Sequence, residues 1–200
     1  MSRKGMVIDL NLCIGCQACT IACKAENATP PGIFWARVLE REVGKYPSAR
    51  PVLLPVLCNH CQNAPCKNAC PTGATSQRDD GIVLVDYAKC IGCRACMAAC
   101  PYQVRYCWEN RESYYPGGLT PFEEVGYKKF EMGAVQKCTL CAHRIDQGLE
   151  PACVGVCMTS ARVFGDLDDP QSEVSRLIGE RRGFQLRPEL GTDPSVFYLL

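Results

Sequence analysis

The segment Cys90-Ile-Gly-Cys93-Arg-Ala-Cys96-Met-Ala-Ala-Cys100-Pro101 decides the fold of this chain. Its cysteines have the spacing C-x2-C-x2-C-x3-C, and a proline follows the last of them. Three thiolates so close together let the backbone wrap one cubane cluster, and the fourth is positioned to reach a different cluster. The proline ends the local helical turn. The pattern predicts a [4Fe–4S] motif, because a zinc site has no use for a third cysteine between its two knuckles.

Three more cysteine motifs accompany this segment. Cys13-Ile-Gly-Cys16-Gln-Ala-Cys19-Thr-Ile-Ala-Cys23 matches it at every cysteine with an offset of 77 residues, which indicates an internal repeat. Another motif has the spacing C-x2-C-x4-C-x3-C and comprises Cys58, Cys61, Cys66 and Cys70. The last comprises Cys138, Cys141, Cys153 and Cys157. By itself the last motif could bind zinc, but its order and its nearby proline mirror the motif that begins at Cys58.

The total of 17 cysteines also fits a disulfide framework, which is the main alternative. The tight C-x2-C-x2-C runs and the odd count argue against it. Metal ligation accounts for four groups of four, and it leaves Cys107 as a small buried apolar residue. A Rieske-like site needs two histidines on one iron, so His60 is predicted to be an outer or surface histidine.

Charge and motifs exclude several functions. The net charge is +1, so nothing favours nucleic acid. The chain has no catalytic motif for a nucleophile, a metalloprotease or a nucleotide, which predicts an electron carrier with no catalytic site of its own. It has no apolar stretch long enough to span a membrane. The N-terminal segment lacks the apolar region of a signal peptide, which alone predicts the cytoplasm.

Patterning predicts a few regular elements. Residues 6–9 and 82–85 are predicted strands, with a turn at 79–81, and residues 33–57 are strand-like with Trp35 in the core. Residues 102–136 are predicted to form an excursion, that is, a surface loop rich in aromatic residues between two cysteine motifs. This loop is expected either to pack over a cluster or to contact a partner. A helix is predicted to begin at Asp169-Pro170 and end near Arg182. The apolar end of the chain is expected to dock on the domain or on a partner, with Phe197, Tyr198 and Leu199 as anchors.

Several segments resemble the ferredoxin-type subunit of the molybdopterin oxidoreductases of the dimethyl-sulfoxide-reductase family. The resemblance is carried by the four motifs in this order and by segments around them. It is strongest to the electron-transfer subunits of polysulfide, thiosulfate and tetrathionate reductases. The segments beyond the cysteines are Cys23-Lys-Ala-Glu-Asn27, Lys137-Cys-Thr-Leu-Cys141-Ala-His-Arg144, Pro151-Ala-Cys153, Phe164-Gly-Asp-Leu167 and Leu186-Arg-Pro-Glu-Leu-Gly-Thr192.

The resemblance implies an α+β fold of two ferredoxin-like domains, one inserted in the other, each holding two [4Fe–4S] clusters. The outer domain would comprise residues 1–57 and 101–165, and the inner domain residues 58–100. Residues 166–200 would form a C-terminal helix and docking tail.

The resemblance also implies that the last cysteine of each motif serves the cluster of its partner motif. Four cofactor sites follow, each with four cysteine ligands. Site A would comprise Cys13, Cys16, Cys19 and Cys157, and site B Cys138, Cys141, Cys153 and Cys23. Site C would comprise Cys58, Cys61, Cys66 and Cys100, and site D Cys90, Cys93, Cys96 and Cys70.

By resemblance, the chain would carry electrons between a large molybdopterin catalytic subunit and an integral membrane subunit that reacts with quinone, in anaerobic respiration. It would be membrane-associated through these partners, on the extracytoplasmic face, against the cytoplasmic prediction from the N-terminus. The alternatives are a stand-alone polyferredoxin, the small subunit of a hydrogenase or formate dehydrogenase system, and a zinc-stabilised interaction protein.

Overall fold

The computed structural model describes residues 2–200, which form short helices and strands joined by long loops. Within that range the strands are β1 Lys4–Asp9, β2 Ala36–Val43, β3 Arg50–Leu57, β4 Thr75–Gln77, β5 Val83–Val85, β6 Tyr106–Cys107, β7 Val135–Gln136, β8 Arg162–Asp166 and β9 Val196–Leu199. The α-helices are α1 Ala18–Asn27, α2 Pro65–Asn68, α3 Ala95–Ala98, α4 Pro121–Gly126, α5 Ala142–Ile145, α6 Ala152–Gly155 and α7 Glu173–Glu180.

The largest sheet joins both ends of the chain. Strand β1 lies in the middle, antiparallel to β8 and parallel to β9. Its predicted apolar residues are buried, with Met6 and Ile8 fully shielded from solvent. The strand predicted at 6–9 is therefore confirmed, although it begins at Lys4.

The end of the chain is core, which corrects the prediction that it anchors a partner. Tyr198 and Leu199 are each 1% exposed, and the Tyr198 hydroxyl donates a hydrogen bond to the Pro55 carbonyl oxygen at 2.9 Å. A strand in a parallel pair has its partner far away in the sequence, and for β9 that partner is β1. From the sequence alone, the apolar residues of β9 therefore look like those of a surface segment with no partner strand. The tail was expected to dock either on the chain's own domain or on a partner, and it packs on the chain's own domain.

Helix α7 is shorter than predicted. Its N-cap is Ser172, whose hydroxyl accepts a hydrogen bond from the Ser175 amide, so the start predicted at Asp169 is wrong. The Gly183 amide donates to the Ile178 carbonyl oxygen just beyond the helix, which ends at Glu180, close to the predicted end near Arg182. Val174 of this helix is fully buried against β1 and β9.

Two hairpins flank the second cysteine motif. Strands β2 and β3 pair along their whole length, despite Pro51 and Pro55, and Trp35 just before them is buried as predicted. Strands β4 and β5 form the small hairpin expected between Cys70 and Cys90.

The excursion at 102–136 packs on this chain. Trp108, Tyr127 and Phe130 are buried and meet edge to face, with the Trp108 and Tyr127 ring centroids 5.5 Å apart. Helix α4 begins with a capping box between Thr120 and Glu123. These aromatic residues therefore pack on the chain's own core, and contact of the segment with a partner stays a prediction.

One apolar core connects most of the fold. It runs from the β1 sheet through Trp35 and Leu57 to Ile82 and Trp108, and cysteines of all four motifs contribute to it. Among residues 2–200, every helix is too short or too polar to cross a lipid bilayer.

Candidate iron–sulfur sites

The two repeated loops have the same backbone conformation. Gly15 and Gly92 have φ values of 71° and 68°, and Gln17 and Arg94, which follow the second cysteine of each motif, both have φ of 60°. These left-handed positions turn the chain into α1 and α3. A Cβ on Gly92 would lie 2.6 Å from the Gly133 carbonyl oxygen, so only glycine fits there.

Three groups of four cysteines line three small cavities. Their cysteines are Cys23, Cys138, Cys141 and Cys153, then Cys58, Cys61, Cys66 and Cys100, then Cys70, Cys90, Cys93 and Cys96. Each group takes one cysteine from a different motif. These are the groupings expected for sites B, C and D.

The elements that carry two of the cysteines expected for site A pack against each other. Helix α1, which carries Cys19, packs against α6, which leads into Cys157. Both cysteines lie close enough to Arg162 to raise the pKa of its guanidinium. Cys13 and Cys16 lie on the loop that leads into α1, with Cys16 exposed.

Four helices, α1, α2, α3 and α6, each connect two of these groups. Cys19 and Cys23 lie four residues apart in α1, so about 6 Å of helix axis separates them. Helices α2, α3 and α6 carry Cys66, Cys96 and Cys153 and end just before Cys70, Cys100 and Cys157. The x3 spacing thus places the last cysteine one turn beyond its own motif, beside the next group.

The four cysteine groups differ in their exposure to solvent. Every cysteine of the groups at Cys23 and Cys58 is buried. In contrast, Cys16 and Cys93, which occupy the same position in the repeated motif, are exposed. Exposed isoleucines stand beside them, with Ile14 at 60% and Ile91 at 68% exposure.

The buried thiols do not ionise readily by themselves. Burial raises the pKa of Cys61 to about 12 and that of Cys153 to about 11, and it raises the pKa of Cys138 well above its usual range. A thiolate in these cavities therefore needs a neighbouring positive charge, and metal coordination supplies one because it deprotonates the thiol.

Cys70 and Cys157 have matching hydrogen-bonded surroundings. Burial acts to raise the pKa of Cys70, but amides of Thr72, Ala74 and Thr75 outweigh it and lower the pKa to about 7. Burial is likewise outweighed at Cys157, where Thr159 and the amides of Ala161 and Arg162 lower its pKa. Both cysteines precede the pattern x-Thr-x-Ala, a signal that the sequence interpretation missed.

Three buried cations lie among the cysteine groups. Lys137, Arg162 and Arg105 are 1%, 3% and 4% exposed. None of the three pairs with a carboxylate among residues 2–200. Buried charges are costly unless paired. The cavities, the thiols and these cations together fit a buried group of net negative charge, as a thiolate-ligated [4Fe–4S] cluster is.

Of these three cations, only Lys137 stands directly beside a cysteine in the sequence. The spacing gives a clue to the two arginines, since each follows the last cysteine of its motif by five residues, Arg105 after Cys100 and Arg162 after Cys157. Of the other basic residues beside cysteines, Arg94 pairs with Glu109 and Arg144 with Glu26, while Lys24 donates to the Ile33 carbonyl oxygen.

His60 and Cys107 lie outside the four groups. His60 is fully buried, and its Nδ1 accepts a hydrogen bond from the Val83 amide at 3.1 Å. Burial, with the charges of Lys137 and Arg105, holds the pKa of His60 well below its usual value, so the ring is neutral. The thiol of Cys107 is only half-buried, less than predicted, and donates to the Gly133 carbonyl oxygen at 3.2 Å.

Comparisons with known proteins identify the motifs independently. The family model described as "4Fe-4S dicluster domain" matches residues 50–115 and 118–167, and the one described as "4Fe-4S binding domain" matches residues 10–26. These matches support [4Fe–4S] clusters along most of the chain.

Curated relatives cover nearly the whole chain. A subunit of the tetrathionate reductase of Salmonella typhimurium is 44% identical, over 98% of this chain and 72% of its own length. The arsenate respiratory reductase iron–sulfur subunit of a Shewanella species is 42% identical, over 98% and 96%. A component of the polysulfide reductase of Wolinella succinogenes is 38% identical, over 98% and 94%. From the motifs, the cavities and these relatives it follows that the protein belongs to the ferredoxin-type iron–sulfur electron-transfer subunits of the dimethyl-sulfoxide-reductase family of molybdopterin oxidoreductases.

Proposed function

We propose that this chain holds four [4Fe–4S] clusters and carries electrons between a large molybdopterin catalytic subunit and an integral membrane subunit that reacts with quinone, in anaerobic respiration. Such a cluster exchanges one electron when bound. The chain's own residues supply thiolates, exclude water and surround the sites with cationic and N–H groups. The proposal is supported by the names of the relatives, which are subunits of reductases, one of them a respiratory reductase.

The proposed ligands are the crossed sets. Site A uses Cys13, Cys16, Cys19 and Cys157, and sites B, C and D use the cysteines that line the three cavities. The matching surroundings of Cys70 and Cys157 support this assignment, because each is the last cysteine of a motif and would complete a site of the repeated C-I-G-C type. The two crossed pairs correspond to two ferredoxin-like domains, one inserted in the other.

The observation that carries the function is the contrast between exposed and buried groups. Sites B and C are enclosed, while sites A and D each present one exposed cysteine next to an exposed isoleucine. An enzyme that acts on a dissolved substrate needs one open site, whereas a conductor between two proteins needs two. We name these two surfaces the Ile14 face (Ile14 and Cys16) and the Ile91 face (Ile91 and Cys93), and we propose that each receives one partner subunit.

The location follows from the partners in this proposal. The chain is membrane-associated through the quinone-reactive subunit, on the extracytoplasmic face. A cytoplasmic face is the alternative, and protease protection of the complex in oriented membrane vesicles separates the two.

The experiment places a charge on each face in turn. Ile14→Glu and Ile91→Glu are made in the co-expressed complex, with Val125→Glu as the matched control, because Val125 is a comparably exposed aliphatic residue on α4. Each face variant is expected to lose one partner, with binding weakened roughly tenfold or more, and to retain its iron. Loss of the same partner from both variants, or of neither, would contradict the two-face proposal.

A further inference from the structure

The buried cations lie between the cysteine groups rather than inside one group. Arg105 donates from Nη2 to the Cys66 sulfur at 3.0 Å, which places it against site C. Its Nη1 donates at 3.3 Å to the Thr75 hydroxyl, and Thr75 lines the cavity of site D. Burial acts to lower the pKa of Arg105, but the charges of Cys66, Cys58 and Cys96 raise it, so the group contacts both sites as a cation.

Lys137 spans the next pair of sites. Its ammonium donates to the Cys138 carbonyl oxygen at 2.8 Å and to the Val83 carbonyl oxygen. Cys138 lines the cavity of site B, and Val83 lines that of site C. The charge of Lys137 also acts to lower the pKa of the Cys66 thiol of site C, against burial, which raises it.

Arg162 spans the remaining pair. Its Nη1 lies 3.8 Å from the Cys153 sulfur of site B. Its backbone amide donates a hydrogen bond to the Cys157 sulfur, which belongs to the proposed site A. Burial acts to lower the pKa of Arg162, but Cys153, Cys19 and Cys157 raise it. Its Nη2 is buried and has no hydrogen-bond partner among residues 2–200.

We propose that Arg162, Lys137 and Arg105 are electrostatic tuning residues, one at each junction of a linear series of sites A, B, C and D. The inference rests on the proposed function, because it needs the crossed ligand sets. The exposed cysteines lie at sites A and D, which are the two ends of this series. Their exposure was observed independently of the cations and agrees with the same order of sites. A fixed positive charge between two clusters stabilises the reduced, more negative form of each, so it raises both potentials. It also limits the repulsion between neighbouring reduced sites.

The test measures four midpoint potentials by EPR-monitored titration of the complex. Arg162→Gln is expected to shift the potentials of sites A and B to more negative values, Lys137→Gln those of B and C, and Arg105→Gln those of C and D. Signals are assigned beforehand with one cysteine-to-serine variant in each set. Arg94→Gln is the matched control, because Arg94 stands beside a cysteine of site D but is solvent-exposed and paired with Glu109, so screening limits its effect.

The outcomes separate tuning from support of the fold. Arg105→Lys and Arg162→Lys keep the charge and are expected to restore the potentials at least in part. Loss of iron from the glutamine and lysine variants alike would make these residues structural and overturn the proposal. So would a shift confined to one cluster, or one shared equally by all four. If fewer than four clusters are present in the unsubstituted complex, the proposed function itself is wrong.

Discussion

At the residue scale, Cys157 is the most informative single position. If it completes site A, Cys157→Ser should alter the same EPR signal as Cys16→Ser, because both remove a thiolate from one cluster. The signal altered by Cys141→Ser, which belongs to site B, should be retained. The structure supports this because Cys157 shares Arg162 with Cys19, while Cys23, from the first motif, completes the cavity of Cys138, Cys141 and Cys153.

Cys107→Ser is the matched control for that substitution. Its thiol donates to the Gly133 carbonyl oxygen, a bond that a serine hydroxyl can replace, and it lies in none of the four groups. The control should keep the full complement of about sixteen irons, four per cluster. If Cys157→Ser changes the signal of Cys141→Ser instead, the crossed ligand sets are wrong.

At the residue scale, the sequence points to the cysteines and not to the buried arginines. Cysteine spacing reports ligation directly, because the thiolates that hold one cluster must reach the same few ångströms of space. Arg105 and Arg162 carry no such mark. A buried arginine differs from a surface arginine only in its surroundings, and those are assembled by strands from other parts of the chain.

At the element scale, β9 should be required for folding. Tyr198→Ala removes a fully buried ring and its hydrogen bond to Pro55, and large core truncations of this kind cost about 3–5 kcal/mol. The measurement is thermal unfolding together with iron content. Deletion of the exposed Leu200 alone is the control and should change neither. Partner binding that is lost while stability and iron are retained would restore the anchor interpretation.

Elements were predictable where their signal was local. The β4–β5 hairpin has its turn and strands within eleven residues, and its position was predicted from the Asp79-Asp80-Gly81 turn. Strand β9 pairs with β1 across nearly the whole chain, so its apolar residues alone could not distinguish a core strand from a docking tail. The start of α7 was missed because Asp169 and Ser172 are both good caps, and only the second is used.

At the scale of the whole molecule, the fold is organised around the cysteine groups more than around its sheets. A second apolar cluster joins Cys61, Cys66 and Cys96 of the inner motifs to Val135 of β7, and Arg78 and Asp146 form an ion pair across the same two parts of the chain. The proposed inner and outer domains therefore share packing. Sequence alone could indicate their nesting by resemblance, but it could not show how the intervening residues connect them.

The shared packing leads to a prediction about iron removal. Without clusters, Arg105, Lys137 and Arg162 would remain buried with no carboxylate partner among the described residues, beside small cavities lined by cysteines. Both costs oppose folding, and cluster binding removes both, so the binding free energy is also folding free energy. Anaerobic chelation of the iron should abolish the near-ultraviolet circular dichroism and the cooperative thermal transition. Reduction with dithionite, which keeps the iron, is the control and should preserve both. A cooperative melt of the iron-free chain near the original temperature would show that the apolar core holds the fold without its clusters.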